Sequence, residues 1–378
     1  MTGWADWVDR ECRLIEEAGQ WRTLRALDGG APETAITNTG SRVVSFASND
    51  YLGLSQHPSV KAAAIDAIQR WGTGAGASRL IVGSRPIHDE LEAQLAGWRG
   101  TQSALVFPTG YSANTGTLAT LAGPGTVVCS DALNHASIID GCRLAGRRGA
   151  EVRVYRHADP EHLRAQLASL DGRRALVVTD TVFSMDGDVA PLDAIAGVCR
   201  ERDALLVVDD AHAVFDVGAD LSGVEVVRVG TLSKTLGSLG GFVAASRRIV
   251  ELLVNRARPF VFTTALTPAD TAAALAALEI LRSGEGEARR RTLREHIEVL
   301  APGHPTPILP VVIGDEPDAV AASAALAERG LLVPAIRPPT VPPGTCRLRV
   351  ALSAAHTGEQ VLRLRAALDE LDLAVSTP

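Results

Sequence analysis

Residues 204–212 read Ala204-Leu205-Leu206-Val207-Val208-Asp209-Asp210-Ala211-His212, and this stretch decides the fold. Its first five residues are all apolar, which predicts a strand buried on both faces, as in a parallel sheet covered by helices. Ligands of such sheets bind beyond the carboxyl ends of the strands. Asp209, Asp210 and His212 follow the strand at that end, so this stretch also marks a candidate binding site.

Short apolar strands separated by helical segments recur from about residue 100 onwards. Besides Ala204–Val208, the pattern predicts strands at Ser103–Phe107, Thr126–Cys129, Glu151–Tyr155, Ala175–Thr179 and Val224–Val229. Strands that alternate with helices are typical of an α/β fold with a mostly parallel sheet. The sequence therefore predicts a large α/β domain.

The length of 378 residues predicts more than one domain. We expect an N-terminal helical segment at 1–45, because Met1–Leu27 shows apolar residues at helical spacing. The large cofactor-binding domain would span 46–265, and a smaller α+β domain 266–378. Within the last part, the pattern predicts helices at Pro268–Arg282, Ala319–Arg329 and Gly358–Leu373, and strands at Ile308–Val312 and Arg347–Ala351.

Composition excludes several classes of protein. The net charge is −7 and the arginines are dispersed, so we expect no nucleic-acid partner. Five cysteines without a C-x-x-C pair indicate a reduced cytoplasm and neither a disulfide framework nor a zinc site. No apolar stretch approaches the roughly 18 residues that a membrane span needs, so we expect a soluble cytoplasmic protein without a membrane partner or a bound metal.

Lysine is almost absent from the chain. Of 37 basic residues only Lys61 and Lys234 are lysines, which leaves 37 − 2 = 35 arginines. Arginine can replace a lysine that only carries charge, but it cannot lose its proton to become a nucleophile or a base. Lys61 opens an Ala-rich amphipathic run and is typical of a helix surface. Lys234 lies in the loop Thr231–Gly237, a Ser/Thr/Gly setting that suits a Schiff-base lysine.

Other polar residues at predicted strand ends have both structural and functional interpretations. Thr109-Gly110-Tyr111-Ser112 opens a helix and could bind an anion through its free N–H groups. His135 is either a satisfied structural residue or a catalytic one. Asp210 could cap a helix, and Asp209 could be a hydrogen-bonded structural carboxylate. Ser184 lies in an acidic loop whose spacing does not match a Ca²⁺ site.

These segments occur in an order that resembles the α-oxoamine synthases, a family of pyridoxal-phosphate enzymes with the aspartate-aminotransferase fold, also called fold type I. The resemblance runs from Ser48–Leu54 to Ser353–Thr357, nearly the whole chain. Between them, the matching segments are Gly72–Leu80, Thr109–Asn114, Asn134–Ser137, Val182–Asp188, Val207–His212 and Thr231–Gly237. The resemblance implies pyridoxal 5′-phosphate as the cofactor and a homodimer with shared active sites.

The resemblance also implies roles for single residues. Lys234 would bind the cofactor and act as a base, and Asp209 would hold the pyridine nitrogen. The other cofactor contacts would come from His135, stacked on the ring, from Ser184 and His212 near its hydroxyl, and from Gly110, Tyr111 and Thr231 at the phosphate. Thr263 or Thr264 would reach the phosphate in the partner subunit. Substrates would contact His135, Arg25, Asn49, Arg337, Thr340 and Arg349, with Arg349 taking the amino-acid carboxylate.

The segment Ile336–Pro342 and the spacing from Trp7 to Arg25 resemble the branch of the family that condenses L-alanine with a pimeloyl thioester in biotin biosynthesis. The thioester could be one of coenzyme A or of acyl-carrier protein. Ala213-Val214-Phe215 stands where the family usually has Gly-x-Gly, and the connection from His212 to Lys234 is shorter than usual. Both differences could change which acyl substrate the protein accepts.

Three alternatives remain at this stage. A sister synthase would use glycine or serine with another acyl-CoA. A nicotinamide-dependent oxidoreductase is suggested only by Gly72-x-Gly74-x-Gly76, which follows a helical stretch and not a strand. A catalytically idle binding protein would be expected to lack the lysine or the ring-binding aspartate, and both are present.

Overall fold

The computed structural model describes residues 3–376. Its helices are α1 (Trp4–Glu17), α2 (Pro58–Trp71), α3 (Pro86–Arg99), α4 (Gly110–Leu121), α5 (Ala136–Arg147), α6 (Pro160–Gln166), α7 (Leu192–Arg202), α8 (Arg247–Arg256), α9 (Arg258–Val261), α10 (Pro268–Leu281), α11 (Gly284–Leu300), α12 (Glu316–Glu328) and α13 (Gly358–Glu370). Its strands are β1 (Leu27–Asp28), β2 (Glu33–Ile36), β3 (Arg42–Ser45), β4 (Ser103–Phe107), β5 (Thr126–Asp131), β6 (Glu151–Tyr155), β7 (Arg174–Asp180), β8 (Leu205–Asp209), β9 (Val226–Thr231), β10 (Gly241–Ala245), β11 (Ile308–Gly314), β12 (Leu331–Leu332), β13 (Ala335–Ile336) and β14 (Cys346–Ala351).

A seven-stranded sheet with the order β4-β10-β9-β8-β7-β5-β6 forms the centre of the large domain. Only β10 runs antiparallel to its neighbours. Side chains alternate across β8: Val207 joins a core cluster with residues of α4 and α5, while Leu206 and Val208 join a cluster with residues of α6 and α7. The sheet is therefore covered on both faces, and the predicted α/β fold is confirmed.

β10 is a strand that the sequence pattern does not predict. It pairs with β4 on one side and β9 on the other, so it lies beneath the loop that carries Lys234. A Cβ atom on Gly241 would lie 2.5 Å from the backbone N of Gly110, too close for any side chain. Glycine at this position lets β10 pass directly under the first turn of α4 and brings that turn to the edge of the sheet.

Two smaller sheets lie outside the central one. β11, β14 and β13 form an antiparallel sheet, and β1, β2 and β3 form another that is completed by β12, parallel to β3. The expectation of a helical segment over 1–45 is wrong beyond Glu17, because the three strands β1, β2 and β3 follow α1. Val43 and Val44 are buried there, and β3 pairs with β2 on one side and with Leu331–Leu332, from the C-terminal part of the chain, on the other.

Some properties concern the described residues as a whole. Each of the five cysteines is free, and four of them are buried. Within residues 3–376, no helix is long and apolar enough to cross a membrane. The same residues contain no group of three or more His, Cys, Asp or Glu side chains that could hold a metal ion.

Candidate active site

The carboxyl ends of the central strands surround a cavity of about 250 Å³. Asp180 ends β7, Asp209 ends β8 and Thr231 ends β9, and the first turn of α4 lies opposite them. Asp180 and Asp209 are direct neighbours across the parallel pair. The loops that carry His135 and Lys234 close the remaining sides. Residues from six separate segments thus converge here because parallel strands all end at one edge.

One end of the cavity is suited to an anion. Thr109 caps α4, and its Oγ1 accepts the N–H of Ser112 at 3.0 Å. The backbone N–H groups of Gly110 and Tyr111 make no hydrogen bond to another backbone group among residues 3–376. Across from them, the hydroxyls of Thr231 and Ser233 lie 2.7 Å apart. Free N–H groups and the positive end of a helix dipole favour a phosphate at this position.

Asp209 lies at the opposite end and is firmly held. Its Oδ2 accepts a hydrogen bond from Asn114 Nδ2 at 2.6 Å, and its Oδ1 accepts from the N–H of Ala211 at 2.8 Å. Asn114 also donates to Ser137 Oγ at 2.9 Å, while its own Oδ1 is buried without a partner in the described part of the chain. A fixed carboxylate at the wall of this cavity can pair with a cationic nitrogen of a ligand.

Asp180 is a site residue that the sequence analysis missed. Its Oδ2 accepts the backbone N–H of His135 at 2.8 Å, so it sets the position of that residue. Burial, together with the neighbouring charge of Asp209, raises the pKa of Asp180 well above its usual value. The signal was in the sequence, since Asp180 directly follows the predicted strand Ala175–Thr179 in the same way that Asp209 follows Ala204–Val208.

His135 lines the cavity next to these carboxylates. Its Nδ1 accepts the N–H of Ser137 at 3.2 Å and lies 2.8 Å from the Ser137 hydroxyl. Burial lowers the pKa of His135, with the charge of Asp209 opposing this effect. The ring is therefore neutral near pH 7, with Nδ1 as the acceptor and Nε2 as the N–H donor.

Lys234 and His212 form a direct contact on the adjacent wall. Lys234 Nζ lies 2.9 Å from His212 Nε2. Burial lowers the pKa of Lys234, although the charges of Asp209 and Asp180 oppose it. Burial and the charge of Lys234 also lower the pKa of His212 far below its usual value. A lowered pKa makes an amine give up its proton more readily, and this is the property required of a nucleophilic or basic lysine.

Asp210 points away from the cavity, because side chains of adjacent strand residues alternate. Its carboxylate pairs with Arg228 at 2.9 Å and with Arg99 at 3.5 Å, and it accepts the Thr181 hydroxyl at 2.6 Å. No helix begins at Asp210. The interpretation of Asp210 as a helix cap is therefore wrong, and it is instead the anion of a buried ion cluster.

Arg349 and Asn49 are brought together as expected. Arg349 Nη2 donates to Asn49 Oδ1 at 3.1 Å, and its Nε donates to the backbone oxygen of Ser184. Ser184 thus contacts the arginine through its main chain, and its side chain does not line the cavity of Lys234. The sequence analysis missed Tyr51, which is fully buried and lies 2.6 Å from His212.

Besides Asn49, Ser184 and Arg349, five further predicted site residues do not line this cavity in the single chain. The Arg337 guanidinium pairs with Glu316 at 2.8 Å and holds the backbone oxygens of Gly19 and Trp21. The other four are exposed: Arg25, Thr340, Thr263 and Thr264. The last two line a separate small cavity beside Arg79 and His88. By contrast, Lys61 is an exposed residue of α2, as predicted.

Comparison of the chain with known proteins agrees with the geometry of the cavity. Residues 41–368 match the family model for aminotransferases of class I and II. The 8-amino-7-oxononanoate synthase of Anaeromyxobacter dehalogenans strain 2CP-1 is 48% identical over 386 residues, covering 97% of this chain and 95% of that protein. The chain belongs to the 8-amino-7-oxononanoate synthase family. The synthase of Geobacter sulfurreducens is 45% identical and covers 95% of this chain and 96% of its own.

Solved structures support the same fold for this member of the 8-amino-7-oxononanoate synthase family. A serine palmitoyltransferase from S. paucimobilis superposes with a TM-score of 0.88 at 31% identity, over 97% of this chain and 98% of its own. The 8-amino-7-oxononanoate synthase of Francisella tularensis gives a TM-score of 0.71 at 26% identity, over 87% and 98%. The predicted fold type I of pyridoxal-phosphate enzymes is thereby confirmed.

Proposed function

We propose that this chain is a pyridoxal-phosphate-dependent acyltransferase that condenses L-alanine with a pimeloyl thioester. The products would be 8-amino-7-oxononanoate, CO₂ and the free thiol, a step of biotin biosynthesis. One observation carries the proposal above the others: identity of 48% to a synthase of this name extends over 97% of the chain. The residues that line the cavity support it, since they include a lysine, two carboxylates and a helix N-terminus.

The cavity fits pyridoxal phosphate by charge and by size. The N–H groups of Gly110 and Tyr111, with the hydroxyls of Thr231 and Ser233, would hold the phosphate at the positive end of α4. Asp209 would pair with the ring nitrogen at the opposite end, and His135 would lie against the ring. When bound, the cofactor supplies an electron sink that stabilises a carbanion at the amino-acid Cα.

The residues of this chain would divide the remaining work. Lys234, with its lowered pKa, would take the Cα proton of alanine at Nζ. Arg349 would bind the alanine carboxylate through its guanidinium, and Asn49 and the Ser184 carbonyl hold that guanidinium in place. Asn114 donates to Asp209 and would keep its carboxylate oriented toward the ring. His135 would donate from Nε2 toward the substrate.

The proposal extends to assembly and location. Thr263 and Thr264 are exposed in the single chain, which suits a role across a homodimer interface. Arg25, Thr340 and Arg337 are proposed to contact the acyl substrate, and for Arg337 this requires release of its contact with Glu316. We place the enzyme in the cytoplasm, in keeping with its five free cysteines.

Steady-state turnover of the purified holoenzyme tests the proposal directly. L-alanine, glycine and L-serine would each be paired with pimeloyl-CoA, pimeloyl-acyl-carrier protein and palmitoyl-CoA. We expect the highest kcat/KM for L-alanine with a pimeloyl thioester. The second candidate is L-serine with palmitoyl-CoA, favoured by the TM-score of 0.88 to a serine palmitoyltransferase and by the altered segment Ala213–Phe215. Preference for that pair would overturn the proposal.

A further inference from the structure

A continuous chain of hydrogen bonds joins Lys234 to Arg349. Lys234 Nζ lies 2.9 Å from His212 Nε2, and His212 Nδ1 lies 2.6 Å from the Tyr51 hydroxyl. The Tyr51 hydroxyl lies 3.1 Å from Asn49 Oδ1, to which Arg349 Nη2 also donates at 3.1 Å. Three side chains therefore connect the lysine of the active site to the arginine that would bind the substrate carboxylate.

The central members of the chain are buried, whereas Asn49 and Lys234 are partly exposed. Tyr51 is 0% exposed, and His212 and Arg349 are each 5% exposed. Burial raises the pKa of Tyr51 to about 12, with the charge of Arg349 opposing it, so the phenol keeps its hydrogen. Burial and the charge of Lys234 hold the pKa of His212 far below its usual value, so the imidazole carries only one N–H. The buried pair Tyr51 and His212 must therefore find its hydrogen-bond partners within the chain.

The direction of the chain is set from its arginine end. A guanidinium has only donors, so Asn49 must present its carbonyl oxygen and not its amide to Arg349. Because that oxygen can only accept, Tyr51 donates its single hydrogen to Asn49. The Tyr51 oxygen can then only accept from His212, which places the imidazole hydrogen on Nδ1. His212 Nε2 is left with a lone pair, and Lys234 Nζ donates to it.

The opposite direction is unfavourable. If His212 carried its hydrogen on Nε2, the Tyr51 hydroxyl would turn to donate to Nδ1. The Tyr51 oxygen and Asn49 Oδ1, 3.1 Å apart, would then face each other with no hydrogen between them. Two acceptors in contact make no hydrogen bond, and the fully buried Tyr51 oxygen is then left facing Asn49 Oδ1 without compensation for its desolvation.

We propose that Tyr51 and Asn49 are positioning residues that hold His212 as its Nδ1–H tautomer, which leaves the lone pair of the Lys234 amine free. A neutral amine has two hydrogens and one lone pair. When one hydrogen is donated to His212 Nε2, the lone pair points elsewhere and can take a proton from substrate. In the other tautomer, Nε2–H would donate to that lone pair and block it. That the proton taken by Lys234 is the Cα proton of alanine rests on the proposed function, whereas the tautomer of His212 does not.

Nitrogen NMR of the full-length protein tests the tautomer itself. The chain would be labelled with ¹⁵N-histidine and studied before addition of pyridoxal phosphate, with the His212 signals assigned from the His212→Asn spectrum. We expect a protonated Nδ1 and an unprotonated Nε2. In Asn49→Leu the Tyr51 hydroxyl loses its acceptor and turns to Nδ1, so the hydrogen should move to Nε2. A wild-type His212 protonated on Nε2, or no change in Asn49→Leu, overturns the proposal.

Hydrogen exchange at the Cα of L-alanine in D₂O tests the consequence in the holoenzyme. Tyr51→Phe removes the acceptor for Nδ1–H, and we expect exchange to slow about 10-fold, as for loss of one well-placed hydrogen bond, with little change in the KM for L-alanine. Tyr155→Phe is the matched control, because Tyr155 is equally buried and its hydroxyl has no hydrogen-bond partner in the described residues.

The outcomes separate this inference from the proposed function. Exchange at the wild-type rate in Tyr51→Phe, or equal slowing in both tyrosine variants, contradicts a positioning role for Tyr51. Exchange that persists in Lys234→Ala would instead refute Lys234 as the base, and the tautomer measured by NMR would be unaffected.

Discussion

His157 should make the stability of this protein fall with rising pH. Its Nδ1 lies 2.9 Å from Asp131 and its Nε2 lies 2.9 Å from Asp188. Burial alone would lower the pKa of His157, but the hydrogen bonds and charges of Asp131 and Asp188 outweigh it and raise the pKa to about 10 from 6.5. The imidazolium therefore joins the end of β5 to the loop that contains Ser184.

The size of the effect follows from proton linkage. A group with a higher pKa in the folded state stabilises the fold fully below its unfolded pKa, and this contribution is lost as the pH rises through the folded value. With values of 6.5 and about 10, the contribution is about 4 kcal/mol at pH 6.5, about 3 kcal/mol at pH 8 and below about 0.5 kcal/mol at pH 10. His157→Gln removes this pH dependence.

Urea unfolding, followed by tryptophan fluorescence, would compare wild type and His157→Gln from pH 6 to pH 10. The difference in unfolding free energy should narrow by about 1.5 kcal/mol between pH 6.5 and pH 8. His162→Gln is the matched control, since the His162 ring contacts the N–H of Arg156 and the Gln166 amide and forms no ion pair in the described chain. A difference that stays constant over this range would refute a charged His157.

Three further predictions concern the site and its support. Asp209→Asn should lower the affinity for pyridoxal phosphate and reduce turnover by at least roughly 100-fold, because the ring nitrogen loses its counter-ion; fluorescence titration and kcat measure the two effects. Arg349→Lys should raise the KM for L-alanine about 10-fold or more with a smaller change in kcat, since lysine cannot make a bidentate contact with a carboxylate; an unchanged KM would remove Arg349 from the substrate site. Gly187→Ala should lower the unfolding free energy by about 3 kcal/mol, because φ is +72° and the new Cβ would lie 2.1 Å from the oxygen of Ile308; a urea midpoint equal to wild type would contradict this.

Much of the large domain could be predicted from the sequence because its signals are local. The continuous apolar run Ala204–Val208 forms β8 within one residue, and the polar residue after it lies at the cavity. β10 was missed because Gly241–Ala245 is short and follows a glycine-rich loop. β3 pairs with its neighbour β2 and also with Leu331–Leu332, and the second of these partners is too distant in sequence for a local pattern to reveal.

A site residue could be predicted from the sequence where only one residue type can do the chemistry. It could not be predicted where its role depends on the side chains that it contacts. Lys234 stood out because arginine cannot replace a lysine that must lose its proton. Tyr51 and Asn114 did not, since an ordinary tyrosine and an ordinary asparagine acquire importance only through contacts with His212 and Asp209. The position of Arg337 on Glu316 is likewise a tertiary contact that its motif does not encode.

The presence of only two lysines in the chain makes one measurement decisive for Lys234. The holoenzyme would be reduced with borohydride, which fixes pyridoxal phosphate to the lysine that holds it, then digested and analysed by mass spectrometry. The structure predicts that the peptide containing Lys234 carries the added pyridoxyl phosphate and that the peptide containing the exposed Lys61 does not. Label on Lys61, or on neither lysine, would contradict the assignment of this cavity as the active site.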